Sequence, residues 1–229
     1  EETIQLCNDF LHSIGISTEQ VTYKEGAWHG VGNAGACLEV LAAGMEVSTL
    51  VFMSLQRSDE GNIEVNNERY IQMPLKVVDT GYGLERLTWI TQGSETVYDA
   101  IFPDVIATIR NAAKTLRQRD IYALADHTRC LLFMLGDGIV PSNAEEGYLA
   151  RLIARRALRF IDRLNLDMTL IDLVDLHLTR LHDDFPDLAV SKETMHAMLN
   201  KETDKYRVTL DKGRRLVARY VEEHSSIPE

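Results

Sequence analysis

The sequence predicts an α+β protein in which an antiparallel sheet is followed by an all-α domain. Glycine-rich turns and β-branched runs occupy the chain up to Pro103, and helical periodicity dominates after it. With 229 residues and 45% hydrophobic content, the chain can bury one large or two modest cores. No internal repeat or low-complexity tract is visible. We therefore predict two domains, at 1–104 and 105–229.

Short apolar runs separated by turn signals define the first half. Gly44 is expected to form a tight turn between two strands, and the polar segment 58–62 is expected to be a loop. The glycine-rich segment 26–35 is also predicted to be a loop. The predicted elements are a helix at 1–14, strands at 21–24, 37–42, 45–55, 63–71 and 75–79, a glycine turn at 81–83 and a helix at 84–92.

Apolar residues at helical spacing fill the second half. Asp137-Gly138 is expected to end one helix, and Ser142-x-x-Glu145 is expected to form a capping box that opens the next. The last helix is long, with Gly213 as a position for a bend. The predicted helices cover 105–117, 121–136, 144–164, 170–183 and 192–223.

Composition narrows the class of protein. No run of about 18 apolar residues exists to cross a membrane, and the first residues lack the basic and apolar regions of a signal peptide. The three cysteines are far apart and odd in number, which favours a reducing cytoplasm over a disulfide framework. The seven histidines are dispersed, so we expect no zinc and no other metal site built from protein groups alone.

The charge is unevenly distributed. The net charge of −11 argues against generic nucleic-acid binding, and no DNA partner is expected. Residues 105–163, however, hold 10 basic and 6 acidic residues. A locally basic segment on an acidic protein confines any contact with a polyanion to the middle of the chain.

The first candidate site is the string VDTGYGLERL at 78–87. Its two glycines permit a tight turn and close approach of a ligand, and Arg86 then lies on the first turn of a helix, where it can pair with phosphates and stack on a purine. A glycine turn followed by a surface arginine is the alternative. The string resembles the third motif of class II aminoacyl-tRNA synthetases, in the archaeal alanine–tRNA ligase version. That resemblance implies that Arg86 and Gly83 serve ATP.

The second candidate is the glycine-rich segment WHGVGNAGACLE at 28–39. Taken alone it is weak evidence for a binding site, because a plain loop has the same composition. It resembles the segment that lines the alanine pocket in this family, so Asn33, Gly35 and Glu39 are implied to contact alanine. Asn33 stands where many members have an aspartate, and Ala36 stands where they have proline. Asn33 can accept a hydrogen bond but supplies no charge.

The third candidate is Glu46 within the apolar run 45–53. Strict alternation puts Glu46 and Ser48 on one face and Val47 and Thr49 on the other. The carboxylate needs a partner, either an Mg²⁺–ATP complex or a structural ion pair. The run resembles a family strand in which Glu46 and Thr49 face ATP.

The fourth candidate is an arginine stripe on the predicted helix 144–164. Positions four residues apart share a helix face, and such a stripe suits a phosphate backbone. Pairing with Asp162 and Glu145 is the alternative, and Asn143 also fits a helix cap. The stripe contains Arg151, Arg155, Arg159 and Arg163, with Arg156 beside it.

The segments around this stripe, DHTR at 126–129, GIVPSN at 138–143 and GYLAR at 147–151, resemble the tRNA-recognition domain of alanine–tRNA ligases. In the family, the asparagine matching Asn143 recognises the acceptor-stem G·U pair of tRNA(Ala), and the arginine helix binds the stem. Amide side chains can tell a G·U wobble from a Watson–Crick pair. The acids Glu145 and Glu146 depart from the family pattern.

The resemblance implies a ligase that activates alanine with ATP and Mg²⁺ and transfers it to tRNA(Ala). The family's first and second motifs and its editing domain are missing, so we expect a piece of a longer chain that is inactive alone. The first alternative is a non-catalytic RNA-binding paralogue of a synthetase. The second is a small-molecule ligase that reuses the fold without tRNA.

Overall fold

The computed structural model describes residues 1–224, so 225–229 of the second predicted domain lie outside the described part. The chain divides into two compact units, Glu1–Ile101 and Phe102–Glu229. The first unit carries an antiparallel five-stranded sheet and the second is helical, so the predicted α+β class is confirmed. The three cysteines of the chain, Cys7, Cys37 and Cys130, are all free thiols.

Unit 1 is a sheet with the strand order β1-β2-β3-β5-β4 and helices at both ends of its sequence. Its elements are α1 (Glu2–Ser13), a 3₁₀ turn (Thr18–Gln20), β1 (Val21–Gly30), β2 (Asn33–Ala42), β3 (Met45–Arg57), β4 (Ile63–Val65), β5 (Glu68–Tyr82), α2 (Leu84–Gln92) and α3 (Val97–Ile101).

The core of unit 1 lies between α1 and one face of the sheet. Apolar side chains of α1 at helical spacing meet alternate residues of the central strands, which is the pattern expected of an amphipathic helix on a half-buried sheet. Phe10 and Tyr82 extend this layer with an edge-to-face contact, their ring centroids 4.8 Å apart. The buried residues are Cys7, Leu11, Ile16, Val40, Ala42, Val47, Leu50 and Leu87.

The predicted loop at 26–35 is wrong, because this segment forms a β-hairpin. β1 and β2 pair along their full length, and only Val31 and Gly32, both with positive φ, form the turn. Gly35 serves close packing within the sheet: a Cβ atom there would lie 2.0 Å from the carbonyl oxygen of Phe52. Glycines therefore mark close backbone approach here as well as a turn.

A β-bulge at Val47 changes the predicted alternation in β3. Leu41 pairs with Glu46 and Val40 pairs with Ser48, which leaves Val47 as the extra residue. Val47 and Ser48 are both buried as a result. The predicted sharing of faces, Glu46 with Ser48 and Val47 with Thr49, is therefore wrong.

The segment 63–71, predicted as one strand, is a hairpin that turns at Asn66 and Asn67, both with positive φ. β4 covers only residues 68–70 of β5. Along 71–82 the outer edge of β5 has no strand partner in the described part of the chain. Pro74 lies in this strand, which agrees with the confinement of proline to sheet edges and bulges.

Unit 2 is a bundle in which α5 and α6 pack on each other and on the remaining helices. Leucine and alanine residues of these two helices supply ten of its buried apolar side chains. The predicted helices all occur, with ends shifted by a few residues. The elements are α4 (Pro103–Ala112), α5 (Gln118–Gly136), α6 (Glu145–Leu164), α7 (Leu170–Leu181), α8 (Asp187–Val190) and α9 (Lys192–His224).

The predicted capping box at the start of α6 is wrong. The N-cap is Ala144, and no side chain caps the helix. The Ser142 hydroxyl instead accepts from the Ala144 amide and donates to its carbonyl, while the Ser142 amide donates to the Gly147 carbonyl. Glu145 adopts a positive φ of 50°, so the chain enters α6 through a compact loop.

Candidate functional site

A row of register partners crosses the sheet on the face opposite α1. Lys24, Glu39, Thr49 and Gly81 lie side by side on β1, β2, β3 and β5. The Lys24 ammonium lies 2.8 Å from the Glu39 carboxylate, and this contact raises the pKa of Lys24. Glu39 therefore already has a cation beside it, and sequence reasoning missed Lys24 because the pairing depends on register.

Glu46, Thr49 and Arg86 form one cluster. The bulge at Val47 brings Glu46 onto the face of Thr49, whose hydroxyl donates to the Glu46 carboxylate at 2.8 Å. Arg86 donates to the Glu46 carbonyl at 3.0 Å, and its guanidinium lies 3.5 Å from the Glu46 carboxylate. The ion pair considered from the sequence thus exists, and its cation is the arginine predicted to bind ATP.

The cluster stays accessible. About half of the Arg86 side chain (51%) and 43% of the Glu46 side chain are exposed, so solvent screens the ion pair and leaves it weak. Arg86 lies in the first turn of α2, as predicted. Its guanidinium can exchange this long contact for a phosphate, which binds arginine through two parallel hydrogen bonds.

Gly83 fixes the position of Arg86. Its amide donates to the Val47 carbonyl at 2.8 Å, which ties the start of α2 to the bulge in β3. A Cβ atom on Gly83 would lie 3.2 Å from Cδ of Arg86, so any larger residue would push the arginine stem away. The glycine predicted to admit a nucleotide also gives the arginine room to fold back.

The three residues predicted for the alanine pocket share one face of β2. Asn33, Gly35 and Glu39 occupy odd positions of the strand, opposite the core residues at even positions. Trp28 pairs with Gly35 across the hairpin, and its ring covers Gly30, where a Cβ atom would lie 2.9 Å from it. Trp28 therefore adds an aromatic wall beside Gly35.

Asp79 is a further carboxylate on this face. It pairs with Val51, two residues along β5 from Gly81, and is exposed. Within the described residues it makes no hydrogen bond or ion pair, unlike Glu39 and Glu46. The sequence contained a signal for it, since Asp79 belongs to the string that carries Arg86.

The fit of ATP can be judged from this geometry. A Cβ atom at Gly81 would meet nothing within 4 Å, so the backbone of β5 is open to a ligand next to Thr49. If ATP binds here, Arg86 would supply a cation for its phosphates and Glu46 would supply the oxygen ligand that Mg²⁺ favours. No group of three metal-ligating side chains occurs within residues 1–224.

In unit 2, Arg151 and Arg155 converge on a buried acid. Their Nε atoms lie 3.3 Å and 2.8 Å from the two carboxylate oxygens of Glu202, which lies on α9 and is only 2% exposed. These two arginines are therefore paired with an acid, but it is neither of the acids considered from the sequence, Asp162 and Glu145. The acid comes from a helix about 50 positions away in sequence.

Arg151 also holds Asn143. Its guanidinium donates to the Asn143 side-chain oxygen and, at 3.3 Å, to the Pro141 carbonyl. Asn143 does not cap α6, so that alternative is wrong. The chain Glu202–Arg151–Asn143 instead fixes the loop before α6 and leaves the exposed Asn143 in front of it.

The remaining arginines of the stripe turn toward α5 and α9. Arg163 lies 3.2 Å from the Asp120 carboxylate, which is 5% exposed. Burial raises the pKa of Tyr206 on α9, and the neighbouring Arg159 opposes that effect. Arg156 is exposed and lines a cavity with Arg159 and Arg163. The stripe thus divides into a pair on Glu202 and a second group at the α5–α6 contact.

Comparison of the sequence with known proteins identifies the family and the relatives to which the chain is similar. The family described as tRNA synthetases class II (A) matches residues 1–115 and 45–228. The alanine–tRNA ligase of Archaeoglobus fulgidus is 40% identical over 274 residues, which cover 96% of this chain and 30% of the relative. Those of Methanothrix thermoacetophila and Methanococcus aeolicus are each 38% identical over 277 residues, covering 98% and 99% of the chain.

The chain spans about 30% of the length of these relatives. The alignments extend over 274 or 277 positions against 229 residues in the chain, so the relatives carry additional residues inside the aligned region. Within residues 1–224, none of the helices has the length and apolar character needed to cross a membrane.

Proposed function

The chain belongs to the class II tRNA synthetase family, and from that premise we propose that it is part of an alanine–tRNA ligase of the cytoplasm. In the proposed reaction the carboxylate of alanine attacks the α-phosphate of ATP and pyrophosphate leaves. A ribose hydroxyl of tRNA(Ala) then takes the alanyl group and AMP leaves. Unit 1 contributes ATP and alanine contacts, and unit 2 contributes contacts to the acceptor stem.

The observation that carries this proposal is the cluster of Glu46, Thr49 and Arg86 at the Gly83 turn. Its arginine is preorganised by a backbone carbonyl 3.0 Å away and remains half exposed. An arginine fixed in this way stabilises negative charge on phosphate oxygens without reorganising during the reaction. Mg²⁺ would come with ATP and neutralise phosphate charge, and Glu46 would be the carboxylate that holds it.

The alanine contacts follow from the same face of the sheet. Asn33 and Gly35 offer an amide and an open backbone, and Glu39 is neutralised by Lys24. The ammonium of alanine requires a carboxylate without a cation of its own, and Asp79 meets that requirement within the described residues. We therefore assign the ammonium to Asp79 and the remaining contacts to the residues of β2.

The proposed role of Asn143 is recognition of the acceptor-stem G·U pair. An amide distinguishes base edges only if its orientation is fixed, and Arg151 fixes it by donating to the side-chain oxygen. The Asn143 NH₂ group is then the end turned to the ligand. The buried Glu202 in turn holds Arg151, so this reading is supported by three residues in series.

Titration of the chain with Mg²⁺–ATP tests the nucleotide site. We expect Arg86→Ala to weaken binding about tenfold or more, because a charge-assisted contact contributes about 1.5–3 kcal/mol. Arg69→Ala, which removes an exposed arginine from the same unit, should leave binding unchanged. Equal affinity in both variants would contradict the assignment of Arg86.

Alanine binding tests the assignment of Asp79. In the presence of a non-hydrolysable ATP analogue, alanine should raise the unfolding temperature of the wild type but not of Asp79→Asn. The control is Asp59→Asn in the exposed loop after β3, which has the same charge change. Stabilisation of Asp79→Asn equal to that of the control would remove Asp79 from the pocket.

A pair of acceptor-stem minihelices, one with G·U and one with G·C, tests the RNA contact at two salt concentrations. We expect binding that weakens with salt and prefers G·U, and Asn143→Ala should abolish the preference. Minihelix binding without ATP binding would favour the non-catalytic RNA-binding paralogue. ATP binding without minihelix binding would favour the ligase that acts without tRNA.

A further inference from the structure

A cavity of about 440 Å³ lies between α5 and α6. It is lined by four arginines, one histidine, one acid, one aromatic ring and one alanine. These residues are Arg119, Asp120, Ala123, His127, Arg156, Arg159, Phe160 and Arg163. Four guanidinium groups thus line one cavity of a protein whose net charge is −11.

Helix geometry produces this cavity. Arg156, Arg159 and Arg163 recur at spacings of three and four on α6, so they share one face. Asp120, Ala123 and His127 do the same on α5. Ala123 is the small side chain in the middle of that face, and its size leaves the space between the two helices open.

The cavity is lined by more cationic than acidic side chains. Asp120 is paired with Arg163 at 3.2 Å, while its Oδ2 atom makes no aligned hydrogen bond. Neither Arg119 nor Arg156 has an acid within ion-pair distance in the part of the chain that the structure describes. Guanidinium groups held together without counter-charge repel one another, and a bound anion relieves that repulsion.

His127 lies inside the cavity in contact with Phe160, their ring centroids 5.6 Å apart. Burial lowers the pKa of His127, Asp126 opposes that effect and Arg156 adds to it. A neutral imidazole can donate one hydrogen bond and accept another. The cavity therefore combines planar guanidinium forks, which match the geometry of phosphate oxygens, with a neutral donor.

We propose that this α5–α6 cavity binds a phosphate group, supplied by the backbone of the RNA stem. The site is distinct from the Asn143 loop, because it recognises the backbone instead of a base. It joins Arg156, Arg159 and Arg163 of the stripe to Arg119 and His127 of α5. It rests on the proposed function only for the choice of RNA as the source of the phosphate. Free phosphate shares the same chemistry, so the two sources are separated by experiment.

Two pocket variants and one control test the proposal. Arg119→Gln/Arg156→Gln removes two arginines that have no acidic partner within the described residues, and Ala123→Leu fills the space without changing any charge. Arg215→Gln/Arg219→Gln, on the exposed part of α9, removes the same charge outside the cavity. Circular dichroism of all three verifies folding.

The RNA arm measures minihelix affinity against salt. Both pocket variants should bind about tenfold more weakly than the wild type, and the slope of log affinity against log salt should fall by about one, the value for one lost phosphate contact. The control should keep the wild-type slope. The loss of minihelix affinity in Ala123→Leu is the most informative result. A general electrostatic effect would leave the affinity of that variant unchanged, because the substitution alters no charge.

The phosphate arm follows the His127 C2–H resonance during titration with inorganic phosphate at constant ionic strength. A saturable shift in the wild type and control, absent in the pocket variants, supports the site. If that shift occurs while all variants bind the minihelix equally, the phosphate site stands and its source is free phosphate. If neither assay separates pocket variants from the control, the proposal is overturned. If the wild type binds no minihelix, the proposed tRNA function fails and the phosphate arm alone decides the cavity.

Discussion

Replacing Glu202 with glutamine tests whether one buried carboxylate holds the arginine side of α6. It accepts from Arg155 at 2.8 Å and from Arg151 at 3.3 Å, with 2% of its side chain exposed. Breaking a buried ion pair by removing one partner costs about 3–5 kcal/mol. Because 15% and 33% of the two arginine side chains are exposed and can reach water, we expect the lower end, about 3 kcal/mol.

Urea unfolding of the whole chain, followed by circular dichroism of its helices, measures this cost. Glu222→Gln is the control, since it removes the same charge from an exposed position of the same helix and should change stability by less than about 0.5 kcal/mol. Arg151→Gln/Arg155→Gln should cost more than Glu202→Gln, because it leaves the carboxylate buried without a cation. The reasoning is refuted if Glu202→Gln matches the control, or if the double arginine variant is the milder one.

Two further changes test unit 1 and unit 2 separately. Gly35→Ala should destabilise the sheet by more than about 2 kcal/mol, because its Cβ atom would meet the Phe52 carbonyl at 2.0 Å. Gly81→Ala should be tolerated, because its Cβ atom would meet nothing within 4 Å. The urea midpoints of the two variants check this difference. Burial lowers the pKa of His177 to about 4 from 6.5, with Nε2 bonded to the Ala125 carbonyl and Nδ1 buried without a partner in the described residues. Its contribution to stability is therefore complete above pH 6.5 and declines as the pH falls toward 4, by up to about 1.4 kcal/mol per pH unit, and His177→Gln should flatten the unfolding free energy over that interval.

Elements set by local pattern were predictable from the sequence. The helix after Gly83 begins and ends where its spacing indicated, and the turn at Gly44 lies where expected. The short helices α3 and α8 were missed, because four or five residues are too few to show a period. A signal for α3 existed in Thr96 and Asp99, which hydrogen-bond each other as a cap does.

Features that depend on register or on distant partners were not predictable. Nothing in the composition of β3 reveals the bulge at Val47, yet that bulge brings Glu46 to Thr49. The sequence identified the arginine stripe, but Glu202 lies on a helix whose packing against α6 no local pattern encodes. Candidate residues could thus be named from the sequence, whereas which of them are already paired required the fold.

The unpaired outer edge of β5 makes the sheet extensible at the side of the candidate nucleotide site. Asp79 and Gly81 belong to that margin, so their strand is supported by β3 on one side only. The outward amides of 77–82 are available to pair with an extended backbone, and the proline at position 74, which has no N–H, interrupts such pairing farther along the strand. A strand added beside β5 would enclose the site on this flank, where β5 has no strand partner within the described residues.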